Sequence, residues 1–322
     1  MSSAIPSHPV ASTVSGPAIG STAEPDLESP DRNPGYVSES GRPVWSLAWG
    51  PVALVGLLLV LLYHSIAVKL VTDWYELPDF SHGFLIPFFA AFLLWDKRNE
   101  FRVIPIRPSW AGISLVILGL FVLMLGVLGA DLFFQRTSFV ILISGIVWTL
   151  LGKAMLGRVK FVLFVLVLAI PLPTILFNQI TFPLQLLASS FASSFLRMVG
   201  VPTLQDGNVI TLPAMSLEVA EACSGIRSLM SLFTVAVIYG YFLERQTWRR
   251  VVLALSSVPI AVVANVARIF GTGLCVQYWD PEKALGFFHE FSGWLMFLVS
   301  LSFLYIVHLA MRAFAKESRL PA

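Results

Sequence analysis

The feature that most limits how this chain can fold is a series of long apolar runs with almost no charged residues. The runs 43–68 and 108–130 contain no Asp, Glu, Lys or Arg. Over all 322 residues, 57% are hydrophobic and 12% are charged, whereas a soluble domain has about 25% charged residues. A helix crosses the hydrocarbon of a bilayer with about 20 apolar residues. We therefore expect an integral membrane protein.

The remaining composition argues against several other classes of protein. The chain has no basic stripe with interleaved aromatic residues and no phosphate-binding glycine loop, so we expect no nucleic-acid or nucleotide partner. Its two cysteines, Cys223 and Cys275, are too few for a disulfide framework or a cysteine-based zinc site. We expect neither a cofactor nor a metal.

The hydropathy pattern predicts an all-α polytopic membrane protein with about eight transmembrane helices. A polar loop is expected at 69–81, after the first helix. Residues 1–42, rich in Ser, Pro and Gly, are predicted to be a disordered N-terminal tail. Residues 43–315 form the predicted membrane domain and 316–322 a C-terminal tail. The predicted spans are 43–68, 82–95, 108–130, 134–151, 161–175, 223–242, 251–276 and 289–311.

Two segments between the fifth and sixth spans have a different character. The segment 176–200 is apolar but contains Asn178, Gln179 and Gln185, and we interpret it as an interfacial or re-entrant helix. In 201–220, Asp206-Gly207 separates two short alternating stretches, which predicts a β-hairpin-like segment. Because open sheet edges are not tolerated in lipid, we expect this segment at the water-facing rim.

The basic residues predict the orientation of the helices. They concentrate in alternate connections, whereas 69–81, 130–133 and 277–288 carry one lysine or none. Cytoplasmic loops are enriched in Lys and Arg. Both termini are therefore expected in the cytoplasm and the hairpin outside. The basic residues in question are Lys97, Arg98, Arg102, Arg107, Lys153, Arg158, Lys160, Arg245, Arg249, Arg250, Arg312, Lys316 and Arg319.

This topology brings three reactive side chains to nearly one depth at the outer face. Cys223 opens the sixth span, Arg268 lies about two turns below the outer end of the seventh, and His289 opens the eighth. A thiol needs a basic or cationic neighbour to react as thiolate near neutral pH. We predict Cys223 as nucleophile, His289 as general acid/base, and Arg268 as stabiliser of an oxyanion or substrate carboxylate.

Other interpretations of these residues remain open. Cys223 could form a disulfide with Cys275, and a zinc site built from His82, Cys223 and His289 is conceivable, although no zinc-binding spacing supports it. Asn265 is expected to hydrogen-bond a neighbouring helix. The sequence assigns no role to His82 itself. Glu221 could pair with Arg227 or Arg268, or face water.

Four motifs resemble those of the exosortase/archaeosortase family of membrane transpeptidases. The segment from Glu221 to Ser228 is similar to the cysteine motif of that family, and Asn265 to Ile269 to its arginine motif. His289 to Phe297 is similar to its histidine motif, and Ser81 to Pro87 to a pattern at the start of the second span. The resemblance covers roughly residues 45–315.

The resemblance implies a cysteine transpeptidase in the bacterial inner membrane, with Cys223, Arg268 and His289 as its active site. It implies a substrate partner: an exported protein with a C-terminal sorting signal, made of a Pro-Glu-Pro-type motif, a transmembrane helix and a basic tail. The enzyme would cleave this signal through a thioester and transfer the protein to a surface acceptor of unknown identity. Membrane lipid surrounds the enzyme.

Two alternatives of other kinds share the same sequence features. A transporter or channel has similar hydropathy, but such folds often contain internal repeats and charges at the membrane midplane. We find no convincing repeat, and the predicted charges lie at the rim. An endoprotease with water as acceptor would use the same residues, and the sequence does not separate transfer from hydrolysis.

Overall fold

The computed structural model describes residues 49–219, 226–279 and 287–317. In these residues the chain is mainly helical, with a small sheet between the seventh and eighth α-helices. The elements, in order, are α1 (Trp49–Glu76), a 3-10 helix (Pro78–Phe84), α2 (Leu85–Asp96), α3 (Arg98–Val103), α4 (Gly112–Leu128), α5 (Leu132–Leu151), α6 (Lys153–Val167), α7 (Thr174–Met198), β1 (Leu204–Asp206), β2 (Val209–Thr211), β3 (Ser216–Glu218), α8 (Ile226–Leu243), α9 (Thr247–Tyr278) and α10 (Phe287–Glu317).

The prediction of a helical membrane protein is confirmed. Among the described residues, five helices are long and apolar enough to cross a membrane, and α4 and α8 are shorter apolar helices. The number of eight spans stays a prediction, as does the water-facing position of the sheet. The predicted disordered tail at 1–42 lies outside the described residues. The five long segments are Gly50–Glu76, Leu132–Leu151, Thr174–Met198, Thr247–Tyr278 and Phe291–Ala313.

The predicted polar loop at 69–81 is wrong, because α1 continues to Glu76 and the 3-10 helix follows. The charges that suggested a loop are paired on the helix. Lys69 Nζ lies 3.0 Å from Asp73 Oδ1, one turn later. Arg136 of α5 lies 2.5 Å from the other carboxylate oxygen of Asp73. These ion pairs let α1 keep its helical form through a polar stretch.

The boundaries predicted around the fifth span also need correction. Helix α6 begins at Lys153 and ends at Val167, so the predicted span 161–175 starts too late and ends too late. Pro171 and Pro173 lie in the turn before α7. The segment 176–200 belongs to the continuous helix α7, which passes through Pro183 and has 25 residues. By its length α7 qualifies as a candidate span, and our interfacial interpretation stays a prediction.

The β-hairpin predicted at Asp206-Gly207 is confirmed. Asp206 pairs with Val209 across a two-residue turn, and Gly207 has a φ of +60°, a conformation that glycine adopts without strain. A third strand adds to the hairpin in the order β1-β2-β3. One face of the sheet packs on α7 and α9. The buried residues of this core are Ala188, Ala192, Leu196, Val201, Ile210, Leu212, Leu217, Val219, Val266, Ile269 and Val276.

Helices α4 and α5 pack closely because glycines remove side chains from their interface. Gly112, Gly119 and Gly126 lie seven residues apart on α4. A Cβ atom at Gly119 would lie 3.0 Å from the backbone nitrogen of Leu142, and one at Gly126 would lie 2.7 Å from that of Gln135. Small residues at such spacings are typical of closely packed membrane helices. We therefore regard α4–α5 as one helical hairpin.

Lys97 after α2, Arg250 in the first turn of α9 and Arg312 near the end of α10 lie together at one end of the molecule, around the C-terminal end of α8. Lys97 hydrogen-bonds the hydroxyl of Tyr241, and the guanidinium of Arg250 lies 5.0 Å from the ring of Tyr241. Arg312 Nε lies 3.8 Å from Glu244 Oε1. We call this the basic end. The sheet packs on the opposite half of α9, near its C-terminus.

A buried chain of polar side chains joins α8 to α10 at the basic end. Tyr239 Oη lies 2.6 Å from His308 Nδ1, and His308 Nε2 lies 3.0 Å from Glu244 Oε1. Because a carboxylate only accepts, the imidazole donates from Nε2 to Glu244. Arg249 Nη1 lies 3.4 Å from the second oxygen of Glu244. The side chains of Glu244 and His308 are 4% and 2% exposed.

We expect Glu244→Ala to destabilise the fold by about 3–5 kcal/mol, because it leaves His308 and Arg249 without their acceptor inside the protein. Thermal unfolding in detergent micelles measures this. Glu100→Ala is the matched control, since Glu100 pairs with Arg158 at 3.1 Å but both side chains are at least half exposed. Solvent screening limits the effect of the control to about 1 kcal/mol or less. Equal losses in the two variants would contradict the structural role of the buried chain.

Candidate active site

Helix α9 carries the predicted arginine. Arg268 is half-buried and lies ten residues before Tyr278, the last residue of α9, which corresponds to about 15 Å along the helix axis. The preceding turn includes Asn265, which is 8% exposed. Its Oδ1 has no hydrogen-bond partner in the described part of the chain, so the predicted bond from this oxygen to a neighbouring helix is not confirmed.

The guanidinium of Arg268 lies directly against α10 at Gly293. A Cβ atom at this glycine would lie 3.3 Å from Nη2 and 3.5 Å from Cζ of Arg268. A larger residue at this position would occupy space next to the guanidinium. The absence of a side chain at Gly293 therefore lets the charged group reach the backbone of α10.

The same contact brings Arg268 close to the turn that carries His289. His289 lies in the first turn of α10, four residues before Gly293. Residues four apart lie on the same face of a helix. The structure thus brings the predicted arginine beside the helical turn of the predicted histidine. The side chain of His289 lies outside the described part, and its role stays a prediction.

Cys223 lies outside the described residues, but both neighbouring elements pack around α9. Val219, four positions earlier, is 1% exposed and belongs to the core that includes Ile269, the residue after Arg268. Helix α8 begins three positions after Cys223 and packs against α9. Four residues span at most about 14 Å. The elements on both sides of Cys223 therefore contact α9, and the nucleophile role of Cys223 stays a prediction.

Cys275 does not form the disulfide that was considered above. It is a free cysteine, partly buried, and packs against the core between the sheet and α9. It lies seven residues after Arg268 on the same helix. Among the described residues, Cys275 contributes packing contacts to this core.

His82 holds the 3-10 helix against the turn that follows α6. Its Nε2 lies 3.3 Å from the carbonyl oxygen of Leu168, so the imidazole donates from Nε2. Burial lowers the pKa of His82, and the hydrogen bond to Leu168 opposes this only in part. His82 therefore packs as a neutral side chain.

The zinc site considered above, built from His82, Cys223 and His289, is not tested by the structure. Cys223 and the side chain of His289 lie outside the described part.

The 3-10 helix also brings a carboxylate to the start of α8. It packs against α8, and Asp79 lies within electrostatic range of Arg227 in the first turn of that helix. Burial raises the pKa of Asp79, and the positive charge of Arg227 partly offsets this increase. Arg227 thus has an acidic neighbour that sequence reasoning did not identify. Glu221, the partner suggested above, lies outside the described residues.

An apolar groove of about 310 Å³ lies between α9 and α10 and begins one residue from Arg268. It extends along α9 from Ala267 towards Pro259, or about 12 Å. Val263 and Phe303, which line it, are 65% and 51% exposed, so the groove opens on the surface of the helices. The lining residues are Pro259, Ile260, Val263, Ala264, Ala267, Met296, Val299 and Phe303.

Sequence reasoning missed a second arginine within an apolar helix. Arg136 of α5 is 4% exposed and pairs with Asp73. An arginine in an apolar run is costly without compensation. This rule singled out Arg268, and it applies equally to Arg136. Here the compensation is an ion pair between α1 and α5. An arginine in a membrane helix is thus not by itself evidence of an active site.

The fold is that of an integral membrane protein with several transmembrane helices and a small sheet, in which an arginine-bearing helix meets a histidine-bearing helix at one end. Residues 74–306 match the model of the transmembrane exosortase family (Exosortase_EpsH). This is more than half of the chain, and the chain belongs to that family. Membership supports a membrane transpeptidase of the exosortase kind. Neither a curated protein nor a solved structure matches the chain.

We expect Gly293→Ala to lower activity without lowering stability. The new Cβ atom would press on the guanidinium of Arg268 at 3.3 Å and displace it, while alanine is favoured over glycine in a helix by about 1 kcal/mol. The measurements are the rate of substrate processing and the thermal unfolding temperature. Gly56→Ala is the control, because a Cβ atom there has no neighbour within 4 Å. Unchanged processing by Gly293→Ala would contradict a functional position for Arg268.

Proposed function

We propose that this chain is a cysteine transpeptidase of the bacterial inner membrane that acts on exported proteins at the extracytoplasmic face. The observation that carries the proposal is the contact of the Arg268 guanidinium with α10, one helical turn from His289. Family membership supports the same class of reaction. The catalytic residues are Cys223, Arg268 and His289.

In the proposed reaction, the Sγ atom of Cys223 attacks the carbonyl carbon of the scissile peptide bond after His289 accepts the thiol proton. The two guanidinium N–H groups of Arg268 stabilise the oxyanion of the tetrahedral intermediate. His289 then gives its proton to the leaving amine, and a thioester forms on Cys223. An acceptor nucleophile at the cell surface attacks the thioester and releases the thiol. Water as acceptor gives hydrolysis instead.

The proposed substrate is an exported protein with a C-terminal sorting signal, which consists of a Pro-Glu-Pro-type motif, a transmembrane helix and a basic tail. The groove between α9 and α10 suits such a substrate, because it is apolar, opens on the surface and ends beside Arg268. The clustering of Lys97, Arg250 and Arg312 at the opposite end favours an orientation with that end in the cytoplasm. Both termini are then cytoplasmic.

We expect Cys223→Ala to abolish processing of a co-expressed reporter that carries the sorting signal. Loss of the nucleophile removes the covalent route, at a cost of about 10⁴-fold or more in rate. The reporter is followed by its shift in mass, and the thioester by its release with hydroxylamine. Cys275→Ala should process the reporter normally, since Cys275 is a free cysteine packed against the core. Processing at the wild-type rate by Cys223→Ala would overturn the proposed function.

The variant Arg268→Lys tests the planar donor group separately from the positive charge. Lysine keeps the charge but loses the paired N–H donors of the guanidinium. Removing one donor of an oxyanion site costs about 10²–10³-fold in turnover, so we expect a loss of that size in the reporter assay. Arg158→Lys is a matched control on an exposed side chain. Full activity in Arg268→Lys would exclude a bidentate role for Arg268.

A further inference from the structure

The third strand of the sheet has one free edge. β3 pairs with β2 through Thr211 opposite Ser216, Ile210 opposite Leu217 and Val209 opposite Glu218. In the sheet order β1-β2-β3, β3 has no strand on its other side among the described residues. An open edge presents unpaired backbone groups to any extended chain that comes beside it.

The hydrogen-bond register shows which backbone groups point to that edge. Leu212 donates to the carbonyl of Met215, and Val219 donates to that of Asn208. In an antiparallel ladder, bonded and non-bonded pairs alternate. Leu217 therefore bonds β2, while the N–H and C=O groups of Ser216 and Glu218 point away from it. Both residues are exposed.

The inner face of the sheet and its first strand are already in contact with other elements. The first strand lies against α7, where Ser193 donates from its hydroxyl to Oε1 of Gln205 at 3.0 Å. The inner face is filled by Ile210, Leu217 and Val219, which are 0%, 3% and 1% exposed in the core with α7 and α9. The edge of β3 is thus the part of the described sheet that can receive another strand.

The free edge is close in sequence to the predicted nucleophile. Cys223 follows Glu218 by five positions, and Val219 packs in one core with Ile269, the neighbour of Arg268 on α9. A peptide paired with β3 would therefore lie beside a strand that ends five positions before the predicted nucleophile in sequence. It would also approach the end of α9 at which Arg268 meets α10.

We propose that the edge of β3 at Ser216 and Glu218 receives an extended segment of the polypeptide substrate as a fourth strand and aligns the scissile bond with Cys223. This inference rests on the proposed function. Only an extended polypeptide offers donors and acceptors at the spacing of a strand, about 6.6 Å between alternate residues. A helix has no free backbone groups along its length, and a lipid chain has none.

The first experiment removes the edge donors from the full-length enzyme. Ser216→Pro and Glu218→Pro each delete one outward N–H, and proline is tolerated where that group does not bond within the sheet. Loss of one hydrogen bond weakens binding by about 2- to 12-fold. Each variant should therefore lower kcat/KM for the reporter by that factor, mainly by raising KM. Ser216→Ala and Glu218→Ala keep the N–H groups and should retain activity.

Three outcomes of this assay are distinguishable when Cys223→Ala is measured beside the proline variants. Loss of processing in Cys223→Ala with reduced kcat/KM in the proline variants supports both proposals. If Cys223→Ala loses processing but kcat/KM is unchanged in the proline variants, strand addition is overturned and the proposed function is not. Normal processing by Cys223→Ala overturns the proposed function and the strand addition that depends on it.

A second experiment alters the substrate and leaves the enzyme intact, so that folding of the variants does not matter. Synthetic peptides covering the cleavage region each carry one N-methylated backbone amide and compete with the reporter for wild-type enzyme. A strand bonds its neighbour through alternate residues. Competition should therefore weaken at every second methylated position next to the cleavage site. Equal weakening at successive positions, or none, would overturn the proposal.

Discussion

The contact between the Arg268 guanidinium and Gly293 is the interaction on which the arrangement of this end of the molecule depends. A guanidinium in an apolar helix is costly unless the surrounding structure compensates it. Here α10 approaches α9 closely because Gly293 has no side chain. The same stretch of α9 supports the sheet through Ile269. One helix thus positions the arginine, the histidine-bearing helix and the strand before Cys223.

Other buried charges in the protein hold helices together. Arg136 and Asp73 join α5 to α1 at 2.5 Å, and Glu244 joins α8 to α10 through His308 at 3.0 Å. Each of these groups has a partner of opposite charge or a matched hydrogen bond, as buried polar groups require. A buried charge within these helices is therefore compatible with a purely structural role.

Much of the fold could be predicted from the sequence because hydropathy and turn chemistry are local signals. The apolar runs predicted α4, α5, α8 and α9 to within a few residues, and Asp206-Gly207 predicted the hairpin. The continuation of α1 to Glu76 could not be predicted, because its charged residue Asp73 pairs with Arg136, which is distant in sequence. For the site, the contact of Arg268 with Gly293 involves two helices and has no local signature in the sequence. The arginine and histidine motifs did identify the two segments that make this contact.

The length of α9 has a consequence for how the protein adapts to membranes of different thickness. With 32 residues it measures about 48 Å, whereas the hydrocarbon of a bilayer is about 30 Å thick. Several turns therefore extend beyond the hydrocarbon. The sheet and Arg268 are both fixed to the C-terminal third of this helix. Tilting of α9 to relieve hydrophobic mismatch would move them together and leave their separation unchanged.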